Sequence, residues 1–160
     1  MCIRDSIDSV MPVLQAMGTS VLRTGAVGSG QAMKALNNLV SAGGFLIGIE
    51  ALLIGQRFGL DPDVMTDVLN AATGMNNSTQ KKFKQYVLSR KFDAGFTMGL
   101  LAKDLSIALQ VGRETGTPAP LSALTKEMVA AALAMFGSDA DHTEMAKLCE
   151  QLAGAQLGKG

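Results

Sequence analysis

The sequence predicts an all-α fold, a bundle of about six or seven helices around one long central helix. Three observations carry that expectation. The apolar share, 48 % of 160 residues, is supplied mostly by Ala, Leu and Met, beside 18 Gly, with 4 % aromatics and no Trp, a composition that favours helix over sheet. Apolar residues recur at helical spacing inside segments bounded by recognisable starts and stops. Only Ser20–Arg23 reads as a strand, and one strand cannot build a sheet.

Each element can be justified in order. Ser6–Met17 makes a short helix through Val10, Val13, Leu14 and Met17, ended by Gly18. The brief strand candidate follows, then glycines at 25, 28 and 30, which allow positive φ and close backbone approach. The central helix spans Ser29 to Phe58, with Gly59 suited to the position after its end and Leu60 supplying the apolar residue that follows. Asp61 caps the next helix, Pro62–Thr73, whose first turn holds Pro62 and Asp63. That helix is expected to bury Val64, Met65, Val68, Leu69 and Ala72 and to stop at Gly74. After the polar stretch Met75–Thr79, either Asn77 or Ser78 caps a helix over Thr79–Leu88. Lys91–Thr97 reads as a loop, and a long helix then runs from Met98 to Thr115 until Gly116–Pro120 breaks it. Leu121–Phe136 is an apolar-striped helix, and Asp141 caps the last one, Asp141–Leu152. The tail, 154–160, is expected to fray.

Charge and cysteine content narrow the function classes. Fourteen basic residues balance 14 acidic ones, so no global field points to nucleic acid or an anionic membrane. Lys81, Lys82, Lys84, Arg90 and Lys91 form the one basic cluster, read as a solvated helix face. Cys2 and Cys149 lack any metal or redox spacing and read as free thiols in a reducing, cytoplasmic compartment. Met1–Asp8 shows no secretory pattern, and Met1–Ser6 reads as a truncated or foreign start. The apolar run Leu39–Ile49 is short of a membrane span and is followed by Glu50. It reads as a buried core helix.

Several residues are candidates for chemistry. Lys34 and Asn38 are four apart on the central helix, so their side chains share a face near its start. A helical lysine is usually a solvated charge, yet Ala32, Met33, Ala35 and Leu36 surround this one. Gly25–Gly30 spells G-x-x-G-x-G without the βαβ setting that a dinucleotide loop needs. Lys103–Asp104 reads as an ordinary exposed pair near a helix start, and Asn76, Asn77 and Ser78 as capping residues. His142, the single histidine, reads as a surface residue. The ten methionines read as core filler, and no spacing suggests a metal site.

Two segments carry a family resemblance. GSGQAMKALNN, at 28–38, and GFTMGLLAKDLSIAL, at Gly95–Leu109, resemble the G-x-G-x-x-x-K-x-x-N-N and F-x-x-x-x-x-x-K-D segments of the β-hydroxyacid dehydrogenases. That group contains 3-hydroxyisobutyrate dehydrogenase and the glyoxylate/succinic semialdehyde reductases. The resemblance runs from about Pro12 onward and covers the second half of such an enzyme. It implies the helical fold of the 6-phosphogluconate dehydrogenase C-terminal domain, with NAD or NADP as cofactor. It further implies Lys34 as the proton donor and acceptor, Asn38, Phe96 and Asp104 as substrate contacts, and Lys103 beside the nicotinamide.

On that resemblance, residues 1–24 are the end of a Rossmann domain and 25–153 form the substrate and dimerisation domain. The family's G-x-G-x-M-G and S-G-G segments do not occur in the sequence. The chain alone is therefore expected to show no turnover. Its implied partners are a small hydroxyacid or its aldehyde and a second copy of itself, with no nucleic acid and no membrane. The rival reading, from another class, is a non-catalytic helical dimerisation or interaction module.

Overall fold

The structure, a computed structural model, describes residues 3–158. The expectations for Cys2 and for the MCIRDS start fall largely outside the described side chains. Two compact units can be distinguished, Met1–Met33 and Lys34–Gly160. In the first, α1 (Ile3–Met17) carries Pro12 inside it, and Ser20–Arg23 forms no strand. A strand needs a neighbour to bond, and none lies beside this run in the unit. Gly25 and Gly28 take φ of 133° and 90°, the positive values that the glycine turn required.

The remaining helices are α2 (Ser29–Phe58), α3 (Pro62–Ala71), α4 (Asn77–Lys81), α5 (Met98–Glu114), α6 (Pro120–Phe136) and α7 (Met145–Ala153). A π-helical turn, Phe83–Leu88, follows α4, and a 3-10 turn, His142–Glu144, precedes α7. The all-α expectation holds: among the described residues there is no strand, only one isolated bridge between Thr97 and Asp141.

The core of the second unit is built on one face of α2. Ala42, Phe45, Leu46, Ile49, Leu52 and Leu53 are buried there, at the three-and-four spacing that keeps side chains on one stripe. Phe83, Leu105, Val129 and Met145 close over them, and Phe45 meets Phe83 edge to face at 5.7 Å. Gly48 permits this approach, since a Cβ there would lie 2.5 Å from Phe83 Cζ. By length and composition α2 is apolar enough to cross a membrane, yet 44 % of its most apolar window is buried inside the molecule. Cys149 is a buried free thiol, pushed up to about 11 by burial and by the charge of Glu50.

Four local expectations are corrected. Val64, Val68 and Ala72 are exposed, because α3, which ends at Ala71, turns Pro62 and Thr66 inward beside the expected Met65 and Leu69; an apolar stripe does not say which face finds a partner. Asn76, not Asn77 or Ser78, caps α4, in a reciprocal capping box with Thr79. The expected single helix to Leu88 breaks at Lys82 (φ −128°) and widens into the π turn. The tail does not fray at Leu157, which is fully buried and donates its backbone N–H to Glu150.

Candidate functional site

Lys34 and Asn38 lie one turn apart on α2, and both reach the same atom of α5. Lys34 Nζ is 2.8 Å and Asn38 Nδ2 2.7 Å from Asp104 Oδ2. The Asp104 side chain is 1 % exposed, while Lys34 and Lys103 are about half exposed, at 52 % and 54 %. Asp104 Oδ1 accepts no hydrogen bond and lies 3.5 Å from Lys103 Nζ. Burial alone would raise the Asp104 carboxyl. The hydrogen bonds from Lys34 and Asn38, with the charges of Lys34 and Lys103, outweigh it and hold the group below its ordinary range.

Geometry therefore separates the predicted residues by position. Asp104 is not an exposed half of a surface pair; it lies beneath Lys34 and Asn38 and anchors both. The ammonium has three protons and spends one on Asp104. The Asn38 amide keeps one N–H and its carbonyl oxygen. Two ammoniums share one carboxylate, so the cluster carries net positive charge at an exposed mouth, which suits an anionic ligand.

Asn38 also lines a cleft of about 530 Å³ that extends along α2 past Ser41 and Gly44. Phe96 stands in its wall beside Ser78, Lys82, Tyr86 and His142, whereas Lys34, Lys103 and Asp104 lie outside that lining. Phe96 is fixed by its backbone. Asp141 Oδ2 accepts from Gly95 N at 2.8 Å and Phe96 N at 3.3 Å, and the Phe96 carbonyl accepts from His142 N at 2.9 Å. Gly95, at φ 86°, makes the turn this clamp requires. Burial would raise the Asp141 carboxyl, but hydrogen bonds from Thr143 and Gly95 and the neighbouring His142 hold it low.

His142 is 5 % exposed, which corrects the expectation of a surface residue. Its ring packs edge-on against Phe96 at 5.7 Å, and Nδ1 lies 3.1 Å from the Phe96 carbonyl. A carbonyl only accepts, so Nδ1 carries the proton and Nε2 is a bare acceptor. That Nε2 has no partner within the protein, and neither does Ser78 Oγ. Burial, then the charge of Lys82, hold the imidazole below its usual range against the opposing pull of Asp141 and the Phe96 carbonyl. Lys82 donates to Ser41 Oγ at 3.1 Å, and burial lowers its ammonium despite Asp141. The basic cluster is thus not a plain solvated face: Lys82 enters the cleft wall, Lys84 pairs with Asp63 and Asp67, and Arg90 with Glu150.

Helix, cluster and cleft together define an all-α domain whose polar groups gather beside its longest helix. Residues 28–149 match the family model for the NAD-binding segment of NADP-dependent 3-hydroxyisobutyrate dehydrogenase. The chain belongs to the 3-hydroxyisobutyrate dehydrogenase family, whose cofactor is NAD or NADP. It is 30 % identical over 153 residues to 2-(hydroxymethyl)glutarate dehydrogenase of Eubacterium barkeri, covering 96 % of this chain and 51 % of that protein. A probable mitochondrial 3-hydroxyisobutyrate dehydrogenase of Arabidopsis thaliana is 34 % identical over 130 residues, 78 % of this chain and 38 % of that one. The solved structure of the Mycobacterium tuberculosis 3-hydroxyisobutyrate dehydrogenase with L-serine superposes with a TM-score of 0.79. It is 28 % identical, covering 92 % of this chain and 52 % of the other. The chain spans about half the length of the relatives it matches, or less.

Proposed function

We propose that the chain is the substrate-facing helical half of an NAD(P)-dependent oxidoreductase that interconverts a small β-hydroxyacid and its aldehyde or keto acid. The observation that carries this is the pair of hydrogen bonds from Lys34 and Asn38 to one buried oxygen of Asp104. In this reading the Lys34 ammonium, held by Asp104, gives a proton to the substrate oxygen during reduction and takes it back during oxidation. Asn38 uses its remaining N–H and carbonyl to orient the substrate, and Phe96 closes the adjoining wall. Asp104 acts through Lys34 and Asn38 and is a positioning residue. Lys103, half exposed beside the unbonded Oδ1 of Asp104, would hold the cofactor, which supplies or accepts the hydride when bound. The purified chain alone is expected to show no turnover.

The test joins this chain to the dinucleotide-binding half of a family member and replaces Lys34 by Ala. A fall in kcat of about 10²–10⁴ is expected, the scale of a general acid–base group. An unchanged kcat removes Lys34 from the mechanism.

One observation favours a second property, assembly with another copy. Val40, Ile47 and Ile54 recur every seventh residue on α2, and with Phe58 they are 63–84 % exposed. A heptad stripe of this kind suits a partner helix. We read it as the seam of a homo-oligomer, which is also what the rival interaction-module reading would use. Sedimentation of the chain should give a dimer or larger that Ile47→Glu dissociates; a monomer at every concentration refutes the seam.

A further inference from the structure

Among the described lysines, Lys82 stands apart. Lys34, Lys126 and Lys147 each have a carboxylate within ion-pair distance, and Lys84 has two. Lys103 lies 3.5 Å from Asp104. Lys81 and Lys91 have no such partner, but both are exposed to water. Lys82 has no carboxylate partner either, yet it is half-buried, and its Nζ donates to a neutral hydroxyl, Ser41 Oγ, at 3.1 Å.

Its place in the fold explains this. Lys82 closes α4 at φ −128°, where the chain widens into the π turn, and it lines the cleft of about 530 Å³, which no Asp or Glu lines. The charged or titratable groups that act on it are Asp141, whose oxygens already accept from Gly95, Phe96 and Thr143, and His142. An ammonium so placed loses hydration without gaining an ion pair. Burial lowers it from its ordinary value against the pull of Asp141, so more of it stands as free amine than of a lysine in water. A desolvated lysine facing a cleft is the kind of nucleophile that condenses with carbonyl compounds.

We propose that Lys82 is a carbonyl-reactive amine that captures small aldehydes in the cleft as an imine. The free amine nitrogen adds to the carbonyl carbon. The carbinolamine so formed then loses its oxygen as water, which carries off both amine protons and leaves a C=N bond. Nothing is oxidised or reduced, and water reverses the step. This goes beyond proton transfer at Lys34, which is ion-paired with Asp104. The choice of an aldehyde rests on the aldehyde side of the reaction proposed above; the reactivity of the amine does not.

The test incubates the 160-residue chain with propanal at neutral pH and reduces any imine to a secondary amine with cyanoborohydride. Peptide mass spectrometry then reads the rate at each lysine. Lys82 should be alkylated at least about three times faster than Lys81 and Lys91, the margin left when a more available amine is also a weaker nucleophile. In urea that unfolds the chain the preference should vanish, because it comes from the fold. A rate at Lys82 no greater than at Lys81 and Lys91, or a preference that persists in urea, overturns the proposal. The two lysines are separable. Absence of the Lys82 preference leaves the role of Lys34 standing, whereas a kcat unmoved by Lys34→Ala removes that role and leaves the Lys82 rate as it was.

Discussion

The cluster at Lys34, Asn38 and Asp104 and the wall at Ser78, Lys82 and His142 are neighbours with opposite economies. The first sits on two regular helices, and the anchoring oxygen already receives two donors. The second is assembled from the capped start of α4, the break before the π turn and a 3-10 turn, and it leaves Ser78 Oγ and His142 Nε2 unbonded. Two donors on one buried oxygen fix geometry before any ligand arrives, although the other oxygen of Asp104 stays unbonded. An unsatisfied wall gives up some stability and regains it when a complementary ligand binds. The contrast teaches that pre-organisation falls to the regular helices α2 and α5, while the adjoining wall is left to the turns and breaks that face α2.

Removing the anchor should give the largest effect. Asp104→Ala deletes a buried carboxylate that holds Lys34 and Asn38, and it should cost about 1–3 kcal/mol, toward the lower end because Lys34 is half exposed and can rehydrate. Acid should find the same weakness in the parent chain. The folded-state carboxyls of Asp104 and Asp141 both lie below their ordinary value, so each contributes stability above its unfolded value, about 3.9, that is lost as pH falls through the depressed folded one. Chemical denaturation between about pH 5 and pH 2 should show a falling stability whose slope is shallower in Asp104→Asn. If the slopes coincide, Asp104 is not the ion that the geometry makes it.

Legibility in the sequence follows the same division. The bounds of α2 came from its glycine turn, its apolar run and Gly59, and the spacing of Lys34 and Asn38 alone put them on one face. The Lys103–Asp104 pair lay on a regular helix, although its family resemblance, not its local pattern, marked it for chemistry. Burial of Asp104 was invisible locally, because its partners are 66 and 70 residues away. The cleft wall was harder to read. Period 3.6 carries no trace of a π turn, so the sequence pattern alone puts Lys82 on a wet helix face. His142 follows a polar turn, and its burial comes from the Phe96 carbonyl, 46 residues away, and from the rings of Phe45 and Phe96. The inward face of α3 is hidden for a related reason: Val64 and Val68 look like core residues until the neighbours of Thr66 are known.

The smallest expected effect is the most discriminating, because its sign is reversed. Burial lowers the Lys82 ammonium from its ordinary value, so the folded state holds that charge less readily than the unfolded chain does. Between the lowered folded value and about 10.4 the unfolded chain binds more protons, and stability should rise with pH across that window. At neutral pH the buried charge is a net cost. Lys82→Met, which keeps the stem length and removes the charge, should therefore stabilise the chain by about 1 kcal/mol and raise Tm by roughly 2–4 °C. The loss of the bond to Ser41 offsets part of this, since that hydroxyl can rehydrate in the cleft. A calorimetric melt of the variant beside the parent decides it. A lower Tm would mean that Lys82 is held by favourable contacts, as Asp104 is; a higher Tm means the fold keeps a costly ammonium in a wall that the proton transfer proposed for Lys34 does not need.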